Sequence, residues 1–153
     1  MLAAAQGGYS LRMTAEAPQA SPAEMAQQWL AASPFINLLG MKVTTYEKDL
    51  ARITLPFKEE LVTIADVVHG GAISSLVDTA AAAAAWSGAE GVTTLRGTTV
   101  GMHVSFLAAA RSAELVAEAR VVRRGKILCF CEVDVTDPKG EVVAKGMVTY
   151  KLG

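Results

Sequence analysis

The chain has 153 residues, 52% of them hydrophobic, and a formal net charge of -1, which fits one compact domain and excludes a strongly basic binder of nucleic acid or anionic membrane. Its two cysteines, Cys129 and Cys131, stand i,i+2 and share a face on a strand, poor geometry for bonding each other; with His69 and His103 as the only histidines, a protein-built zinc site has too few ligands. A mean hydropathy of +0.33 is high for so small a protein and predicts apolar surface buried between subunits.

Residues 1–22 are rich in Ala, Gln, Gly, Ser and Pro without a periodic apolar face. They are expected to form a flexible N-terminal extension to a domain spanning 23–153, with Met13 as an alternative start. Met1-Leu2-Ala3-Ala4-Ala5 has no basic head, and no apolar run approaches the ~20 residues of a membrane span, so a cytoplasmic location is expected. At Ser21-Pro22-Ala23-Glu24 a cap serine, a proline in the first turn and a glutamate three residues after the serine predict a helix bearing Met25, Trp29 and Leu30. Pro34 and then Gly40 are expected to end that region. Met41 to Tyr46 and Leu50 to Leu55 read as two strands of a hairpin turning at Glu47-Lys48-Asp49, with Pro56 stopping the second. Lys58 to Val68 has no clear period and reads as a loop.

Gly71 to Trp86 is built from strong helix formers, chiefly alanine, with Gly88 as its stop. This helix is apolar almost all round, so it must be enclosed almost all round. Four strands follow. Val100, Met102, Val104 and Phe106 share one face; so do Leu115, Ala117, Ala119 and Val121; so do Ile127, Cys129, Cys131, Val133 and Val135; Val142 to Leu152 closes the chain. Turns fall at Arg124-Gly125 and Asp137-Pro138-Lys139-Gly140. Consecutive hairpins predict an α+β fold: a six-stranded antiparallel sheet curved around one long central helix, preceded by a short N-terminal helix.

Chemistry concentrates where that helix begins. Gly70-Gly71 offers bare backbone N–H groups at a helix N-terminus, and Asp78, nine residues after His69, is a lone carboxylate in an apolar run. Alone, Asp78 reads equally as a structural acid satisfied by buried partners. The run His69-Gly70-Gly71-Ala72-Ile73-Ser74-Ser75-Leu76-Val77-Asp78-Thr79, supported by Gly40, by Val100 to Leu107 and by Gly140 to Ala144, resembles the hotdog-fold acyl-CoA thioesterases, in the branch typified by the phenylacetate-pathway enzymes. The resemblance covers roughly residues 24–152.

It implies hydrolysis of an acyl-CoA thioester to free acid and coenzyme A, with no cofactor beyond the coenzyme A of the substrate. It also implies at least a homodimer, with a homotetramer expected, and no nucleic-acid or membrane partner. In such a site the Gly70 N–H would bond the thioester carbonyl, a contribution of about 3 kcal/mol for a well-placed donor. Asp78 would act as general base or as a nucleophile forming a mixed anhydride. A Ser or Thr on the third strand, here Thr99, would approach the partner's acid. Substrate contacts are expected from His69, Gly71, Thr63 and Ala82, with Arg123, Arg124 and Lys126 meeting the nucleotide phosphates. Two positions depart from the family: Thr63 stands where an Asn is frequent, and Gly101 where an acid is frequent.

Other readings stand beside these. His69 suits orienting its loop through a ring hydrogen bond better than moving protons. His103 suits an interface or surface, though strict alternation puts it on the same strand face as Thr99. The basic cluster at 123–126 reads equally as a solvated turn, as does Arg111. A hotdog hydratase or dehydratase wants a histidine and an acid across one Cα–Cβ bond, which the position of His69 does not favour. A non-catalytic acyl-CoA binding module is the third alternative.

Overall fold

The computed structural model describes residues 22–89 and 96–153. The N-terminal extension and the Met13 start lie outside these residues. Helix α1 (Pro22–Ala32) begins where the cap signature places it. Pro34 does not end the helical region as expected. It opens a second helix, α2 (Pro34–Leu39), with Ser33 as N-cap and Gly40 as its left-handed C-cap at φ 75°. Proline lacks only the N–H that a first helical turn leaves unpaired anyway, so here it starts a helix.

Strands β1 (Lys42–Glu47) and β2 (Leu50–Leu55) form the expected hairpin. The predicted loop from Lys58 to Val68 instead contains a 3-10 turn (Glu59–Leu61) and a two-stranded ribbon, β3 (Val62–Ile64) and β4 (Val67–Val68). Strands this short show no readable alternation, which is why the sequence hid them. Helix α3 (Gly70–Ser87) follows, then β5 (Gly97–Phe106), β6 (Leu115–Arg124), β7 (Leu128–Thr136) and β8 (Val142–Leu152).

The large sheet has the order β1-β2-β6-β7-β8-β5, antiparallel throughout. Its concave face holds Ala51, Ile53, Leu115, Ala117, Ala119, Cys129, Cys131, Val133, Val135, Ala144 and Val148, all buried against α3. Small residues set the spacing. A Cβ at Gly146 would overlap Cγ1 of Val77, so glycine lets β8 meet the helix where that β-branched side chain points down. The six alanines Ala80 to Ala85 are all buried. The convex face is charged: Glu118 is bound by Arg52 and Arg120, and Lys145 bonds Asp134 at 2.5 Å. Such exposed pairs add little stability singly. Their consequence is a wetted outer face, so the core lies on the helix side alone.

Candidate active site

Asp78 lies two turns into α3, half-buried, where the apolar helix passes the end of the sheet. Its Oδ1 accepts a 2.5 Å hydrogen bond from Thr99 Oγ1 of the same chain. Acid and hydroxyl thus meet within one chain. The reason is a bulge. Thr99 pairs with Tyr150 and Gly101 with Thr149, leaving Val100 as an extra residue. Counting back from Val104 and Met102, alternation would send Thr99 to the convex face; one inserted residue turns it inward. His103 keeps the convex parity, opposite Met147, with its Nε2 3.3 Å from Ser105 Oγ. It does not share a face with Thr99.

Beside this pair opens a cavity of about 370 Å³ lined by Asp78, Thr99, Ser75, Thr79, Ala82 and Tyr150, with Trp29, Phe35 and Ile36 of α1 and α2 forming a wall. Ser75 Oγ donates to Gly71 O at 2.8 Å and Thr79 Oγ1 to Ser75 O at 2.7 Å. Their protons are thus committed to the helix backbone, and both oxygens remain as acceptors. Ala82, one turn beyond Asp78, borders the cavity. Sequence reasoning missed Trp29, Phe35 and Tyr150 as lining residues, because each reads as core or surface from its own element.

The helix N-terminus lies elsewhere. His69 is the N-cap of α3, and its Nδ1 accepts the Gly71 N–H at 2.7 Å. That bond orients the loop and commits the Gly71 amide, so Gly71 has no free donor for a substrate. Gly70 has no N–H acceptor among the described residues. A Cβ there would stand 3.2 Å from the ring of Phe106, so the chain is open at this point only because the residue is glycine. Asp78 stands eight positions beyond Gly70 on the α-helix, about 12 Å of rise. Thr63 is exposed on β3 and outside the cavity lining.

The basic cluster is not assembled toward the cavity. Arg124 binds Asp49 through Nε at 2.8 Å and through Nη2, and its Nη1 donates to Ala85 O at 3.0 Å and Cys129 Sγ at 3.2 Å. It therefore closes the C-terminal end of α3, where carbonyls lack helix partners and cations are favoured. Its donors are occupied within the chain. Arg123 and Lys126 are exposed at the same end. Arg111 is bound to Asp66 at 2.6 Å. Burial pushes the Cys131 thiol up to about 12 and raises that of Cys129, so both are inert core thiols. Among the described residues no group of His, Cys, Asp and Glu is placed to hold a metal, and no helix is long and apolar enough to cross a membrane.

Residues 65–144 match the family model described as Thioesterase superfamily. An acyl-coenzyme A thioesterase 13 of Pongo abelii is 31% identical over 129 residues, covering 73% of this chain and 88% of that protein. The solved structure of another thioesterase-superfamily protein superposes with a TM-score of 0.78 at 30% identity, over 88% of this chain and 99% of that one. The PaaI protein of E. coli, from the phenylacetic acid degradation operon, superposes with a TM-score of 0.76 at 21% identity, over 87% of this chain and 96% of that one, a likeness of fold alone. With the long helix enclosed by its six-stranded antiparallel sheet, and residues 65–144 carrying the family pattern, this chain belongs to the thioesterase superfamily, as a thioester hydrolase of the hotdog fold.

Proposed function

We propose that the protein hydrolyses acyl-CoA thioesters, with Asp78 as the general base and the Gly70 N–H as the oxyanion donor. The observation that carries this reading is the Asp78–Thr99 pair in the lining of a cavity sized for an acyl group. Thr99 occupies one carboxylate oxygen and sets its orientation, leaving the other to accept a proton from water. The resulting hydroxide adds to the thioester carbonyl. Gly70, at the positive end of α3, bonds the oxyanion as it forms. Collapse breaks the C–S bond, the thiolate leaves, and the proton on Asp78 returns to sulfur, giving a free acid and coenzyme A. No metal or redox cofactor takes part in this scheme.

One chain cannot perform it alone. A carbonyl bonded to Gly70 cannot be attacked from Asp78 across about 12 Å of the same helix. The site must take Gly70 from one copy and Asp78 from another. Strand β5 supplies the means: it is ten residues long, lies at the sheet edge, and carries no charged residue or proline to deter pairing. The opposite edge, β1, bears Lys42 and Glu47. Val100, Met102 and Phe106 of β5 are all exposed in the single chain. Along β5, Thr99 stands by Asp78 and Phe106 by Gly70. Antiparallel pairing of two copies of β5 about Met102 and His103 therefore faces the acid of each with the glycine amide of the other.

The test is thiol release from a panel of aromatic, branched and straight-chain acyl-CoAs by wild type and Asp78→Ala, both checked for fold and oligomeric state. Loss of at least ~100-fold in turnover is expected for the variant, the scale of a removed general base. Binding of acyl-CoA by wild type without turnover on any substrate would overturn the proposal in favour of a binding module.

A further inference from the structure

The cavity beside Asp78 has a second polar wall. Tyr150 of β8 is the cross-strand partner of Thr99 and lines the same cavity, 6% exposed. Its hydroxyl oxygen accepts the indole N–H of Trp86 at 3.0 Å, and the two rings meet edge to face with centroids 6.4 Å apart. Trp86, near the C-terminal end of α3, thereby claims one lone pair and fixes which way the hydroxyl proton points. Among the described residues that proton has no acceptor. Gly97 leaves the phenol its place, since a Cβ there would lie 2.6 Å from the ring and 2.8 Å from the hydroxyl. Burial raises the Tyr150 pKa, and the charge of Asp78 acts in the same direction, so the group remains a donor.

We propose that Tyr150 orients the attacking water: its hydroxyl, held by Trp86, donates to the water that Asp78 deprotonates. The inference rests on the thioesterase reading and deepens it. Water has two protons and two lone pairs, and the cavity matches that set. One proton goes to the free oxygen of Asp78. The other meets an acceptor, since the oxygens of Ser75 and Thr79 have their own protons tied to the backbone. One lone pair accepts from Tyr150. The remaining lone pair is left for the carbonyl carbon, so orientation is settled before the reaction begins. Trp86 is a positioning residue that acts through Tyr150.

The experiment compares kcat, KM and thermal stability in wild type, Tyr150→Phe, Trp86→Phe and the double variant. Tyr150→Phe should lower kcat about 10-fold or more, as for loss of one good hydrogen bond made in the transition state, with KM within about 2-fold. It should also lower Tm, because the buried Trp86 N–H loses its acceptor. The double variant removes that orphan, so Tyr150→Phe should cost less Tm in the Trp86→Phe background than in wild type while kcat stays low, which separates a lost water contact from a damaged fold. An unchanged kcat in Tyr150→Phe, a change in KM alone, or recovery of kcat in the double variant would overturn the role of Tyr150. If wild type turns over and Asp78→Ala does not, such a result leaves the thioesterase reading intact; a wild type without turnover overturns both.

Discussion

Thr99 reaches Asp78 of its own chain because Val100 is bulged out of the β5–β8 ladder. The bulge does to the site what a register slip would do to a strand, reversing the face of the residues before it. Deleting Val100 removes the bulge but leaves Thr99 opposite Tyr150 and Gly101 opposite Thr149, so plain alternation then keeps Thr99 facing Asp78. Thr99→Val should therefore lose about 10-fold in kcat, while the deletion and Thr99→Ser both keep the hydroxyl at Asp78 and most of the rate. Steady-state kinetics on the three variants checks this; a deletion variant as impaired as Thr99→Val would show that the inward register of Thr99 does not carry its role.

A shared site predicts rescue between two inactive proteins. Gly70 is the first residue of α3, and His69 before it has the extended backbone, φ -63° and ψ 135°, that precedes proline. Gly70→Pro removes the N–H with the helix start retained, and kcat should fall by about 10²-fold or more, well below Gly70→Ala, which adds a Cβ beside Phe106 but keeps the N–H. Mixing Gly70→Pro with Asp78→Ala after dissociation and reassociation should return activity, to about a quarter of wild type if copies pair at random and one of two sites is intact in each mixed dimer. Absence of rescue, with mixed dimers confirmed by mass, would place both groups in one subunit.

Arg124 should matter for stability and not for substrate. Arg124→Met keeps the stem and removes the bonds to Asp49 and Ala85 O. A loss of about 2 kcal/mol in chemical denaturation is expected, in line with charge-assisted bonds in a partly buried setting. KM for acyl-CoA should stay within about 2-fold. A large rise in KM with stability preserved would return Arg124 to the phosphates.

Alkaline pH should unfold the protein before its site fails. The Tyr46 phenol is raised by burial from 10.0 to about 12, and the Cys131 thiol from 9.0 to about 12. Between pH 9 and 12 the unfolded chain loses these protons while the folded chain keeps them. The unfolded state then binds fewer protons, so stability is full below pH 9 and falls as pH rises toward 12. Denaturation midpoints across that range test the sign. In the same experiment a thiol-reactive dye should find neither cysteine at pH 8 until denaturant is added, which also keeps the thiol-release assay free of background.

Much of the architecture was legible because each long element carries its own period. The apolar α3, the alternation of β6 and β7 and the turn residues at Asp137 to Gly140 act locally, and hairpin order then leaves few ways to arrange the sheet. The ribbon of β3 and β4 was not legible, since three residues and two residues show no period. Nor was α2, because Pro34 has two local meanings and only the Ser33 cap selects between them. Within the site, the glycine pair and Asp78 stand out by chemistry alone. Thr99 came from the family resemblance, and plain alternation would have placed it outside.

By itself the sequence determined which of the long segments are helix or strand, that one helix must be enclosed, and that a lone acid lies in that helix. Those are consequences of side-chain period and of the cost of exposing apolar surface, which act over a few residues. Only the tertiary structure decided that a bulge turns Thr99 onto Asp78, that Arg124 is spent closing α3, and that Trp86 holds Tyr150 at the cavity wall. Each of these depends on partners 21 to 75 positions away in the chain. No local pattern encodes such distances, because they arise from packing one element against another.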